Sequence, residues 1–116
     1  MATDLSATAR TASGSVNKQV TMSGTPGNVL EVNLPEWCRS VDIQFFTSAA
    51  ADDTGKIADS GTDAAAIGTD YQVVPSGNAY RWSIAPGRSV VRGGATLYLA
   101  GGTASGVAQL TMRYGA

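Results

Sequence analysis

At 116 residues the chain is long enough for one domain with an ordinary hydrophobic core, and needs no metal or disulfide staple. A net charge of −1 carries no basicity pointing to nucleic acid or an anionic membrane, and no apolar run approaches the roughly 20 residues of a spanning helix. Charged residues make up 15% of the chain against about 25% in a typical domain, which leaves a surface of Ser, Thr, Gly, Ala and Asn that desolvates cheaply against other subunits.

Residues 1–15 are Ser, Thr and Ala with scattered charges, and Leu5 is their one larger aliphatic. They lack the charged-then-apolar pattern of a signal peptide, so the expected compartment is the producing cell's cytosol or a particle assembled there. Such a stretch buries too little apolar surface to offset its own ordering entropy. It reads as a frayed terminus or as an arm that orders against a neighbouring chain. The second reading makes Leu5 and Arg10 candidate contacts.

The next segment puts Val16, Lys18, Val20 and Met22 on one side and Asn17, Gln19 and Thr21 on the other. This is a first strand, ended by the turn-forming run Ser23-Gly24-Thr25-Pro26-Gly27-Asn28. The central stretch runs from Asn28 to Ser48. Leu30, Val32 and Leu34 alternate with Glu31 and Asn33, and Val41, Ile43 and Phe45 alternate with Asp42 and Gln44. A period of two marks half-buried strands, because successive side chains point to opposite faces. Pro35 cannot donate a ladder hydrogen bond, so Pro35–Arg39 is a corner or an edge.

Residues 49–70 have no clear period and hold five of the nine acidic residues, Asp52, Asp53, Asp59, Asp63 and Asp70. They read as a long loop or a hairpin, with Lys56-Ile57-Ala58 as one short strand. Tyr71-Gln72-Val73-Val74 is strand-like and runs into Pro75-Ser76-Gly77-Asn78. Tyr80, Trp82 and Ile84 then alternate with Arg81 and Ser83. Short runs at Ser89-Val90-Val91 and Ala95–Ala100 follow, and Ala108, Leu110, Met112 and Tyr114 share one face of a terminal strand. Seven or eight short strands, with turn signals every 8–12 residues, predict an all-β antiparallel sandwich or small barrel over residues 16–116.

Chemistry is sparse. The chain has no histidine, which removes the commonest general base and the usual nucleophile pairs. Cys38, the one cysteine, beside Trp37 and Arg39, reads as a small buried residue rather than a reactive thiol. The clustered acids lack the spacing of a calcium loop, and Asp59-Ser60-Gly61-Thr62-Asp63 reads as a turn. The chain is therefore read as non-enzymatic, with no cofactor and no metal. Tyr80 and Trp82 share the face of Ile84 and so belong to the core. Trp37 lies outside any alternation and is a candidate exposed anchor at an interface. The acids of 52–70 also contrast with four arginines and no acid over 71–116: Arg81, Arg88, Arg92 and Arg113. An acidic loop carrying Asp52 and Asp53 on one copy could therefore meet Arg88 and Arg92 on the next, fixing register in a symmetric assembly.

Three stretches resemble the small decoration, or cement, proteins of tailed-phage capsids. They are Val32-Asn33-Leu34-Pro35-Glu36-Trp37 leading into Val41–Phe45, Gly61-Thr62-Asp63 through Ile67–Tyr71, and Ala95–Ala100 followed by Gly106-Val107-Ala108. The resemblance implies a jelly-roll-like sandwich that binds the outer surface of the capsid. Its partners would be the major capsid protein and its own copies, as a trimer, with no nucleic acid or membrane, and its place would be the virion. The alternative is a ligand-binding sandwich, such as a carbohydrate-binding or host-attachment module of a phage fibre or tail, with Trp37 or Trp82 meeting the glycan.

Overall fold

The computed structural model describes residues 2–5, 8–9, 14–22, 24, 29–35, 37–58, 71–83 and 96–113. Among these the chain forms ten strands and no helix: β1 (Ala2–Asp4), β2 (Ser15–Thr21), β3 (Leu30–Asn33), β4 (Ser40–Phe46), β5 (Asp52–Asp53), β6 (Gly55–Ala58), β7 (Gln72–Val74), β8 (Tyr80–Ser83), β9 (Thr96–Gly101) and β10 (Val107–Arg113). Arg10, Asp59, Asp63, Asp70, Ile84, Arg88, Ser89-Val90-Val91, Arg92 and Tyr114 lie outside the described residues.

The strands form two sheets. Sheet 1 has the order β1-β3-β9-β6-β7, and sheet 2 the order β2-β10-β4, with β5 and β8 both pairing the far edge of β4. Setting β1 and β5 aside leaves β3-β9-β6-β7 against β2-β10-β4-β8, which is the strand order of an eight-stranded jelly roll. The all-β sandwich expected from the alternation is therefore the fold. Every pairing is antiparallel except β1 with β3, which is parallel.

The period-two pattern places the core. In sheet 2, Val20, Ala108 and Phe45 lie in one cross-strand row; Leu110, Ile43 and Tyr80 lie in the next; Val16, Met112, Val41 and Trp82 form the third. Leu30, Leu99 and Ile57 form a facing row in sheet 1, beside Val32 and Leu97. All these side chains belong to one cluster, with Val16, Tyr80 and Trp82 packed on its margin. Small Ala108 opposite large Phe45 keeps the layer filled. Gly55 does the same on the other sheet, because a Cβ there would run into the Phe45 ring. The corner after β3 closes as expected, with the Cys38 N–H donating to the Pro35 carbonyl at 3.1 Å. Its thiol is buried, and burial pushes it up to about 11, so it stays protonated at neutral pH.

The structure refines the reading of the N-terminal segment. Residues 2–4 add an edge strand to sheet 1, and Ser15 already belongs to β2, because the β3 backbone offers the N-terminal segment a ladder that its own composition could not reveal. Of the two readings of residues 49–70, a long loop or a hairpin, the hairpin holds for Asp52 and Asp53. They pair with Phe46 and Phe45 across the tight turn in which the Thr47 N–H donates to the Ala51 carbonyl at 2.8 Å. Lys56-Ile57-Ala58 is a strand, as read.

Candidate functional site

The outer face of sheet 2 follows from the same alternation that fills the core. With Val20, Leu110 and Ile43 turned inward, the intervening residues of β2, β10 and β4 must point out. In register they form rows of polar groups: Gln19, Gln109 and Gln44, then Asn17, Thr111 and Asp42. The Gln19 amide Nε2 donates to Gln109 Oε1 at 2.9 Å, and the Thr111 hydroxyl donates to Asn17 Oδ1 at 2.8 Å. Side-chain pairs of this kind hold a flat surface in a fixed arrangement while leaving donors and acceptors for a partner.

Asp42 is the charged centre of that face. Arg81 Nε lies 2.9 Å from Asp42 Oδ1, and Arg113 Nη2 lies 3.1 Å from Asp42 Oδ2. The Arg81 hydrogen bond is the main reason the Asp42 carboxyl is held below its ordinary range, with Arg113 adding to it. Arg81 and Arg113, two of the four late arginines, are thus engaged by a carboxylate of their own chain. One end of the face carries a hollow of about 270 Å³ lined by Gln19, Phe46, Thr47, Ser48, Ala50, Val107 and Gln109.

The candidate contact residues do not converge on one place. Trp37 is not an exposed anchor: it packs against the core, and its indole Nε1 donates to the Thr8 carbonyl at 2.7 Å. Leu5 likewise packs against the core of its own chain. Asp53 joins two loops, accepting the Thr54 N–H at 2.8 Å and the Thr103 hydroxyl at 2.9 Å. Asp52 is exposed at the sheet 2 edge. Trp82 and Tyr80 pack on the core margin with ring centroids 6.3 Å apart, and both Trp37 and Trp82 are half-buried.

The opposite sheet presents a different edge. Tyr71 and Val73 are exposed by 38% and 48%, the only large apolar side chains so exposed among the described residues. Lys56 Nζ sits 4.5 Å above the Tyr71 ring, beside a groove of about 360 Å³ lined by Thr54, Gly55, Lys56, Val73, Ala100, Gly101 and Gly102. The amide rows of sheet 2 went unremarked in the sequence. Their signal was present as Asn17, Gln19, Gln44, Gln109 and Thr111, each at the polar beat of a strand. No family model matches the chain, and no curated protein or solved structure is significantly similar to it.

Proposed function

We propose that the chain is a structural component of a virus particle that binds the outer surface of a phage capsid and associates with its own copies as a trimer. The outer face of sheet 2 supports this reading: an ordered field of Gln, Asn and Thr side chains on a jelly roll, with Asp42 held between two arginines. A pre-arranged face on which uncharged polar side chains predominate loses less hydration energy when covered than a charged one, and little side-chain entropy when docked. A protein that binds only the assembled shell stabilises it by mass action. The fold alone is no argument here, since jelly rolls host unrelated functions.

The test is mass in solution by light scattering, followed by co-sedimentation with undecorated capsids of the encoding phage, for the natural chain and for Gln109→Arg. A trimer that sediments with capsids, at least about tenfold more weakly after a charge enters the middle of the amide rows, supports the reading. A strict monomer at high concentration that ignores capsids sinks it. The Phe46 hollow favours a second reading as a glycan-binding sandwich, because its lining combines an aromatic ring with the side-chain amides of Gln19 and Gln109. Calorimetric binding of a glycan that disappears in Phe46→Ala would replace the first reading with that one.

A further inference from the structure

The formal charges of the sheet 2 face gather at one end. Among the outward positions of β2, β10, β4 and β8, the charged residues are Asp42, Arg81 and Arg113. Arg81 is the direct cross-strand partner of Asp42 on β8, and Arg113 reaches the same carboxylate from the next row of β10. Two guanidiniums therefore share one carboxylate, and this end of the face keeps an excess of positive charge.

The hydrogen bonds leave donors over as well. Arg81 Nε and Nη2 donate to Asp42 at 2.9 and 3.5 Å, and Arg113 Nε and Nη2 donate to it at 3.2 and 3.1 Å. A guanidinium carries five N–H groups in a planar fork, so one shared carboxylate does not saturate either arginine. Among the described residues, no acceptor meets the Nη1 group of Arg81 or of Arg113. Asp52 shares the Phe46 row at the other end of the face. Four residues of β4 separate that row from Asp42, about 13 Å of strand. That exceeds the Debye length of about 8 Å at physiological salt, so Asp52 does not offset the arginines.

A partner that covers this face strips water from the spare guanidinium donors, and leaving charged donors unpaired under an interface is costly. A carboxylate answers both the charge and the shape, because its two oxygens accept from paired N–H groups of a guanidinium. We propose that the capsid protein presents an Asp or Glu side chain to Arg81 and Arg113, so that the docked face holds two carboxylates against two guanidiniums. The inference rests on the capsid-binding reading above and names the group which that reading requires of the partner.

Opposite signs for two substitutions provide the test, by co-sedimentation with undecorated capsids of the encoding phage and with melting curves to establish that each variant is folded. Arg81→Gln removes one of the two cations and is expected to weaken binding about tenfold, a loss that shrinks as salt is raised. Asp42→Asn removes the carboxylate that already occupies the arginines, and is expected to bind at least as tightly as the natural chain. Arg113→Gln repeats the first measurement from the other side of Asp42, should Arg81→Gln fail to fold. Arginine variants that bind as well as the natural chain overturn the contact and leave capsid binding standing. Weaker binding by folded Asp42→Asn also overturns it, because the partner would then be using the carboxylate itself. A natural chain that ignores capsids overturns the reading and the contact together.

Discussion

The centre of sheet 2 and the outer edge of sheet 1 are built on opposite terms. β10 pairs over seven residues with β2 on one side and over seven with β4 on the other, and Ala108, Leu110 and Met112 are fully buried. β1 pairs over three residues with β3 alone, and one hydrogen bond from Trp37 supplements it at Thr8. The first region is over-determined by packing and by backbone ladders. The second is held by a few contacts that can open locally without disturbing the core. Stability therefore resides in the β2-β10-β4 layer, and the β1 edge is its more weakly held margin.

The largest effect should come from breaking the centre. Leu110→Ala removes a fully buried side chain between β2 and β4 and is expected to cost about 2–5 kcal/mol, measured by chemical denaturation. Gly55→Ala tests the same core from the other sheet. Its Cβ must displace the Phe45 ring, and overpacking of this kind costs about 1–3 kcal/mol with a matching drop in melting temperature. If Gly55→Ala proves neutral, the two sheets do not meet as closely as Phe45 implies.

Trp37→Phe sharpens the comparison at the edge. It keeps a ring on the core but deletes the donor to Thr8, with an expected cost of about 1 kcal/mol. Amide exchange should accelerate at Leu5 and stay unchanged at Leu110, and equal acceleration at both would erase the distinction between the regions. The smallest effect belongs to Asp42→Asn, at about 0.5 kcal/mol, because Arg81 and Arg113 are 57% and 39% exposed and water and salt screen such pairs. The sign with pH follows from the lowered carboxyl. Asp42 contributes its stabilisation at neutral pH, begins to lose it below about 3.9, the ordinary carboxylate value, and loses the rest as pH falls through its folded-state value. The natural chain and Asp42→Asn should therefore converge in stability in strong acid.

Much of this architecture was legible residue by residue. Val41, Ile43 and Phe45 against Asp42 and Gln44 read as a half-buried strand and are one, and Tyr80 and Trp82 were assigned to the core side where they lie. Trp37 was misjudged because a corner residue has no alternation to reveal its direction. The docking of residues 2–5 was missed because a short Ser/Thr/Ala-rich segment becomes a strand only when another strand offers it a ladder.

By itself the sequence determined which residues face inward, where the chain turns and that the class is all-β, because side-chain alternation and turn chemistry act over a few neighbouring residues. Only the tertiary structure decided that β10 lies between β2 and β4, that Gln19 meets Gln109 across 90 positions of chain, that Asp42 draws in Arg81 and Arg113, and that Asp53 ties its loop to Thr103. Those choices depend on which strands pair. Pairing is settled by burying two sheet faces against each other, a long-range condition that no local period encodes.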